Sequence, residues 1–113
     1  MKTVTLGIAP RDAVSTRFLA AMNGKAQGAY ITFESPAVLF QTLTQMRWNI
    51  MRVITGAGPL SIREIARRVD RDVKAVHRDI HALLDVGVLE RTKNGAIEFP
   101  YEAVHVDFML KAA

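Results

Sequence analysis

Four residues in the middle of the chain could do chemistry together. Lys74, His77, Arg78 and His81 recur at intervals of three and four, the spacing that places side chains on one face of a helix. Two chemistries suit such a set. An arginine fork matches a guanine edge or a phosphate, and a lysine ammonium acts as a point charge toward the same polyanion. Two imidazoles four residues apart, with Asp85 four further on, could instead present metal ligands on one face. No fourth ligand is evident and the chain has no cysteine, so no metal and no cofactor is expected.

The element that must carry these side chains is predicted over Val73–Asp85. Val76, Ile80, Leu83 and Leu84 share its apolar face, Lys74, Arg78 and His81 the opposite one, with Ala75 and His77 on the flanks. Asp72 is a good N-cap and Gly87 a good left-handed terminator. Ahead of it, Ser61-Ile62-Arg63-Glu64 has the form of a capping box, opening a short helix over residues 62–68. A tight turn, Val69-Asp70-Arg71, joins the two. Two helices, a three-residue turn and a basic outward face describe a helix-turn-helix.

A hairpin is expected next. Asn94-Gly95 is a strong two-residue turn signal, pairing strands over 88–93 and 96–99 and setting Arg91 opposite Glu98. Arg91, Lys93 and Asn94 would then meet a phosphate backbone, as would Arg71 in the helix-helix turn. Backbone amides at the starts of both helices are further candidates for phosphate. The expected DNA-binding set is therefore Arg71, Lys74, Ala75, His77, Arg78, His81, Arg91, Lys93 and Asn94, with Arg78 the first choice for reading a base.

The flanking segments read as strand Thr3–Ile8, helix 11–22, strand 30–34, a helix 37–43 opened by Ser35-Pro36, a helix Gln45–Ile54 capped by Thr44, and a tail strand 103–110. The fold expected is α+β: a winged helix-turn-helix over residues 41–100, an N-terminal strand-helix-strand extension over 1–40, and a C-terminal strand in 101–113. The terminal segments are expected to form a dimer interface or a small sheet on the helical unit, with a single large monomeric core as the alternative. Trp48 reads as a core residue or interface anchor, with a ligand pocket beside it as an alternative.

Bulk properties agree. The chain has 113 residues, half of them hydrophobic, which suffices for one core and argues against disorder. Its formal charge is +4, and Arg63, Arg67, Arg68, Arg71, Lys74 and Arg78 gather in one stretch against Glu64, Asp70 and Asp72. No signal peptide or membrane-length apolar run is recognisable, so a cytoplasmic location and no membrane partner are expected. No nucleophile–base pair and no phosphate-cradling glycine loop is found, and Ser61 and Asp72 read as caps; no catalytic residue and no enzyme is expected.

The stretches SPAVLFQTLTQMRW, GPLSIREIARRVDRDVKAVHRDIHALLDVGVLER and FPYEAVHVDF, between about Thr32 and Leu110, resemble small prokaryotic winged-helix transcriptional regulators, MarR-like in their DNA-binding part. That resemblance implies sequence-specific binding of double-stranded DNA, by a homodimer reading two half-sites. Relatives of this kind include antitoxins that repress their own toxin–antitoxin operon and bind the toxin. The resemblance thus implies an autoregulatory repressor and a toxin as protein partner. The alternative is a protein-interaction module that neutralises a partner with little or no DNA binding. RNA is disfavoured, because stacking aromatics are not interleaved with the basic residues.

Overall fold

Each helix begins where a short polar side chain accepts a hydrogen bond from an amide of the first turn. Ser35 Oγ accepts from Val38 N at 3.2 Å and opens α1 (Pro36–Thr42), with Pro36 at the first helical position. Thr44 Oγ1 accepts from Arg47 N at 3.3 Å and opens α2 (Gln45–Ile54). Ser61 Oγ accepts from Glu64 N at 3.1 Å and opens α3 (Ile62–Val69). The Asp72 carboxylate accepts from Lys74 N at 3.1 Å and Ala75 N at 3.3 Å, opening α4 (Val73–Asp85). A computed structural model describes residues 1–9, 29–110 and 112 of the chain. The helix expected over 11–22 lies outside the described residues.

The ends of the helices are equally local. Asp70 takes a left-handed conformation, φ 55°, and turns the chain from α3 toward α4. At the end of α4, Gly87 has φ 81°, Val88 N donates to Leu83 O at 2.9 Å and Gly87 N to Leu84 O at 3.0 Å. This paired closure needs a residue that tolerates positive φ, hence glycine.

The architecture is α+β, with four helices and two sheets among the described residues. A two-stranded antiparallel hairpin, β3 (Glu90–Arg91) and β4 (Ile97–Glu98), follows α4. It is tied to the segment before α3, because Leu60 and Ile97 exchange backbone hydrogen bonds at 2.7 and 2.9 Å. The second sheet joins the termini: β1 (Thr3–Ile8) lies between β2 (Ala29–Phe33) and β5 (Ala103–Asp107), parallel to both. Parallel neighbours need long connections; from β1 to its neighbour β5 the chain passes through β2 and the whole helical unit with its hairpin.

One core serves both parts. Ile50, Ile54, Ile65, Val76, Ile80 and Leu83 of the helices are fully enclosed, and they cluster with Ile97 and Phe99 of the hairpin segment and Val4 and Leu6 of β1. The terminal segments thus form a small sheet packed on the helices, and its core residues are continuous with theirs. No helix among the described residues is long and apolar enough to cross a membrane.

Several expectations shift. The strand expected over 30–34 is Ala29–Phe33, the helix expected over 37–43 is Pro36–Thr42, and the helix expected over 62–68 runs on to Val69. The tail strand ends at Asp107 instead of 110. Only half of the capping box forms: Ser61 caps, but Glu64 turns to Arg67 and Arg68.

The hairpin also differs by one residue. A two-residue turn requires positive φ at both Asn94 and Gly95, whereas Gly95 alone has it, at 82°. Gly95 N donates to Thr92 O at 3.0 Å and Thr92 N to Ala96 O at 2.8 Å, giving a three-residue loop that ends in a glycine bulge. Arg91 therefore faces Ile97, and Glu90 faces Glu98; the expected Arg91–Glu98 pair does not form. Packing explains the choice. Continued by one residue, the observed register sets the buried Leu89 opposite the buried Phe99, whereas the two-residue turn would have set Glu90 there.

Candidate nucleic-acid interface

Helix α4 divides by face. Val76, Ile80 and Leu83 are buried, fixing its orientation on the core. Lys74, His77 and Arg78 are exposed on the other side, with Ala75 and His81 half-buried at its margins. The His77 and His81 rings lie 4.1 Å apart, centroid to centroid, tilted by 32°. Among the described residues no group of three or more His, Asp or Glu side chains is arranged to hold a metal ion.

The cations of this region fall into two groups. Arg67, Arg68 and Arg71 are paired with carboxylates. Glu64 takes a two-pronged contact from Arg67 and a 2.8 Å hydrogen bond from Arg68 Nε. These partners, Arg67 first, hold the Glu64 carboxyl down from 4.5 to about 2, and Glu64 in turn raises Arg67. Arg71 Nη1 donates to Asp79 Oδ2 at 2.9 Å, and Arg47 Nε donates to Asp79 Oδ1 at 3.0 Å. Lys74, Arg78 and Lys93 make no ion pair among the described residues. The unpaired cations of this region thus lie on the outer face of α4, at the hairpin tip and, with the exposed Arg63, on α3.

At that tip Lys93 and Asn94 occupy the two central positions of the turn and are exposed. Arg91 is exposed as well, and its Nη1 donates to Gly95 O at 3.4 Å, which lays the side chain along the loop. Val88 and Leu89, both buried, connect the end of α4 to β3 and anchor the hairpin to the same core as the helix.

The model of the HVO_A0114 family matches residues 42–106, from the end of α1 into β5. The chain belongs to the HVO_A0114 family. No curated protein and no solved structure matches it.

In this HVO_A0114 chain the nine residues expected at the interface separate into groups. Lys74, Ala75, His77, Arg78 and His81 come together on one helix face, and Arg91, Lys93 and Asn94 come together on the hairpin. Arg71 stands apart: its half-buried guanidinium is engaged by Asp79. The helix starts are also occupied, since Asp72 takes the Lys74 and Ala75 amides and Ser61 takes that of Glu64.

Sequence reasoning missed Asp79. It lies between Val76 and Ile80 at the edge of the apolar face, and its carboxylate ties α4 to both the preceding turn and α2. Arg47 extends the tie by donating to Thr42 O at 3.1 Å. The available signal was an acidic residue bordering an otherwise apolar stripe. Trp48 packs half-buried against the core, beside a small groove lined by Met51, Arg52, Thr55 and Val104.

Proposed function

We propose that this HVO_A0114 protein is a sequence-specific DNA-binding transcriptional regulator built as a winged helix-turn-helix. In this reading α3 and α4 are the helix-turn-helix, α4 enters the major groove, and the β3–β4 hairpin is the wing. One observation carries the reading: Lys74 and Arg78 on the outer face of α4 make no ion pair among the described residues, while Arg67, Arg68 and Arg71 on the neighbouring helix and turn are each engaged by Glu64 or Asp79.

The chemistry follows from the residue types. Arg78 donates in parallel to guanine O6 and N7, and Lys74 donates to an adjacent base or phosphate. Ala75, small and at the margin of the face, offers a methyl to a thymine methyl. His77 and His81 add donors further along the groove. Lys93, Asn94 and Arg91 meet the phosphate backbone and fix register without reading sequence.

The first target is the DNA upstream of the protein's own gene, because autoregulation is part of the proposal. Fluorescence anisotropy on that DNA and on a scrambled duplex, across a salt series, tests it. Wild type should prefer its own upstream DNA by about three orders of magnitude and weaken steeply with salt. A Lys74→Ala/Arg78→Ala variant, changed only at exposed positions, should lose the preference. Failure of wild type to bind either duplex at moderate salt overturns the proposal in favour of a protein-interaction module.

A further inference from the structure

We propose that β5 is a self-association edge, pairing antiparallel with β5 of a second copy about a two-fold axis at Val106. The inference goes beyond DNA binding and does not depend on it.

β5 is an outer strand of the described sheet, with β1 on one side only. Such an edge offers a row of backbone donors and acceptors to another strand, and proteins that remain monomeric usually blunt it with charge, proline or a bulge. Within β5 there is no proline and the one carboxylate is Asp107, and the strand runs into Phe108, Met109 and Leu110. Met109 and Leu110 are 77% and 92% exposed. Phe108 stacks edge-on against Phe40, itself 59% exposed, with ring centroids 5.9 Å apart. The strand edge and this apolar strip are continuous, which is the pairing expected of a strand-addition interface.

Charge selects the occupant. A two-fold perpendicular to the sheet keeps like faces together, so odd-numbered positions of β5 meet odd-numbered positions of the copy. Centred on Val106, the pairing sets His105 opposite Asp107 of the second copy, twice by symmetry. Centred on His105, it sets histidine against histidine; centred on Asp107, aspartate against aspartate. Both residues are exposed, and they share the face of the sheet opposite Val104 and Val106. An imidazole has an N–H donor in either protonation state, so it can donate to the facing carboxylate at neutral pH. The same register sets Val106 against Val106 and Val104 against Phe108 of the copy on the apolar side. The strand is therefore self-complementary in shape and charge, as an isologous interface requires.

Sedimentation velocity on the full chain without DNA tests this, and its result is independent of whether the protein binds DNA. Wild type should be a dimer at high micromolar concentration. H105D sets aspartate against aspartate and D107H sets histidine against histidine; each should weaken the dimer about tenfold or more. The exchange H105D/D107H restores the unlike pairs and should recover the dimer. Both sites are exposed, and circular dichroism checks that every variant folds. A monomeric wild type, single variants as dimeric as wild type, or an exchange variant that stays dissociated overturns the proposal.

Discussion

Arg71 Nη1 lies 2.9 Å from Asp79 Oδ2, a contact that ties the turn between α3 and α4 to the second turn of α4 itself. The other carboxylate oxygen of Asp79 takes Arg47 from α2 at 3.0 Å. A single side chain thus fixes the turn and two helices relative to one another, and with them the direction in which Lys74 and Arg78 point. All three partners are largely enclosed, with Asp79 only 17% exposed, so their charges are weakly screened and depend on each other.

Asp79→Ala should therefore cost about 1–3 kcal/mol, less than a fully buried pair because some solvent reaches the site. Urea unfolding should show a lower midpoint at unchanged slope. An unchanged midpoint would show that the contact holds nothing together.

The Glu64 carboxyl, held at about 2 by Arg67 and Arg68, gives a pH prediction with a definite sign. Its folded value lies below its ordinary value of 4.5, so its stabilising contribution is full above that pH and is lost as the pH falls toward 2. Carboxyl titration by NMR should place its midpoint near the lower figure. In Glu64→Gln the acid loss of stability between those limits should be shallower. A midpoint near the ordinary glutamate value would remove the basis for this expectation.

Glu90 and Glu98 face one another across the hairpin. Like charges at such a site repel, so Glu98→Lys should stabilise the protein by about 0.2–1 kcal/mol. Thermal unfolding would register this as a modest rise in Tm, smaller at high salt. A fall in Tm would mean that the register leaves the carboxylates apart.

Under the proposed DNA-binding role, Lys93 at the hairpin tip neutralises a phosphate. Lys93→Ala should then weaken all duplexes about equally and reduce the salt slope by about 0.9. Sequence-dependent loss would instead make Lys93 a base reader. By contrast, Asp72→Ala removes the cap of α4 and should cost about 1 kcal/mol of stability, visible in urea without any DNA.

The sequence by itself determined the helix starts at Ser35, Thr44, Ser61 and Asp72, the stop at Gly87 and the sidedness of α4. Each depends on residues at most a few positions apart, whose hydrogen bonds or periodicity the neighbours alone dictate. The cluster Lys74, His77, Arg78 was legible for the same reason. Only the tertiary structure decided what joins distant segments. Arg71 looked as free as Lys74, but folding brings it to Asp79, whose other oxygen takes Arg47. The hairpin could close on two residues or three, and the buried partners Leu89, Ile97 and Phe99 chose three. The place of β1 between β2 and β5 is likewise a long-range choice, because strands so far apart in sequence carry no local sign of their neighbours. Burial of Val4 and Leu6 against the helices, which no window of sequence contains, set that order.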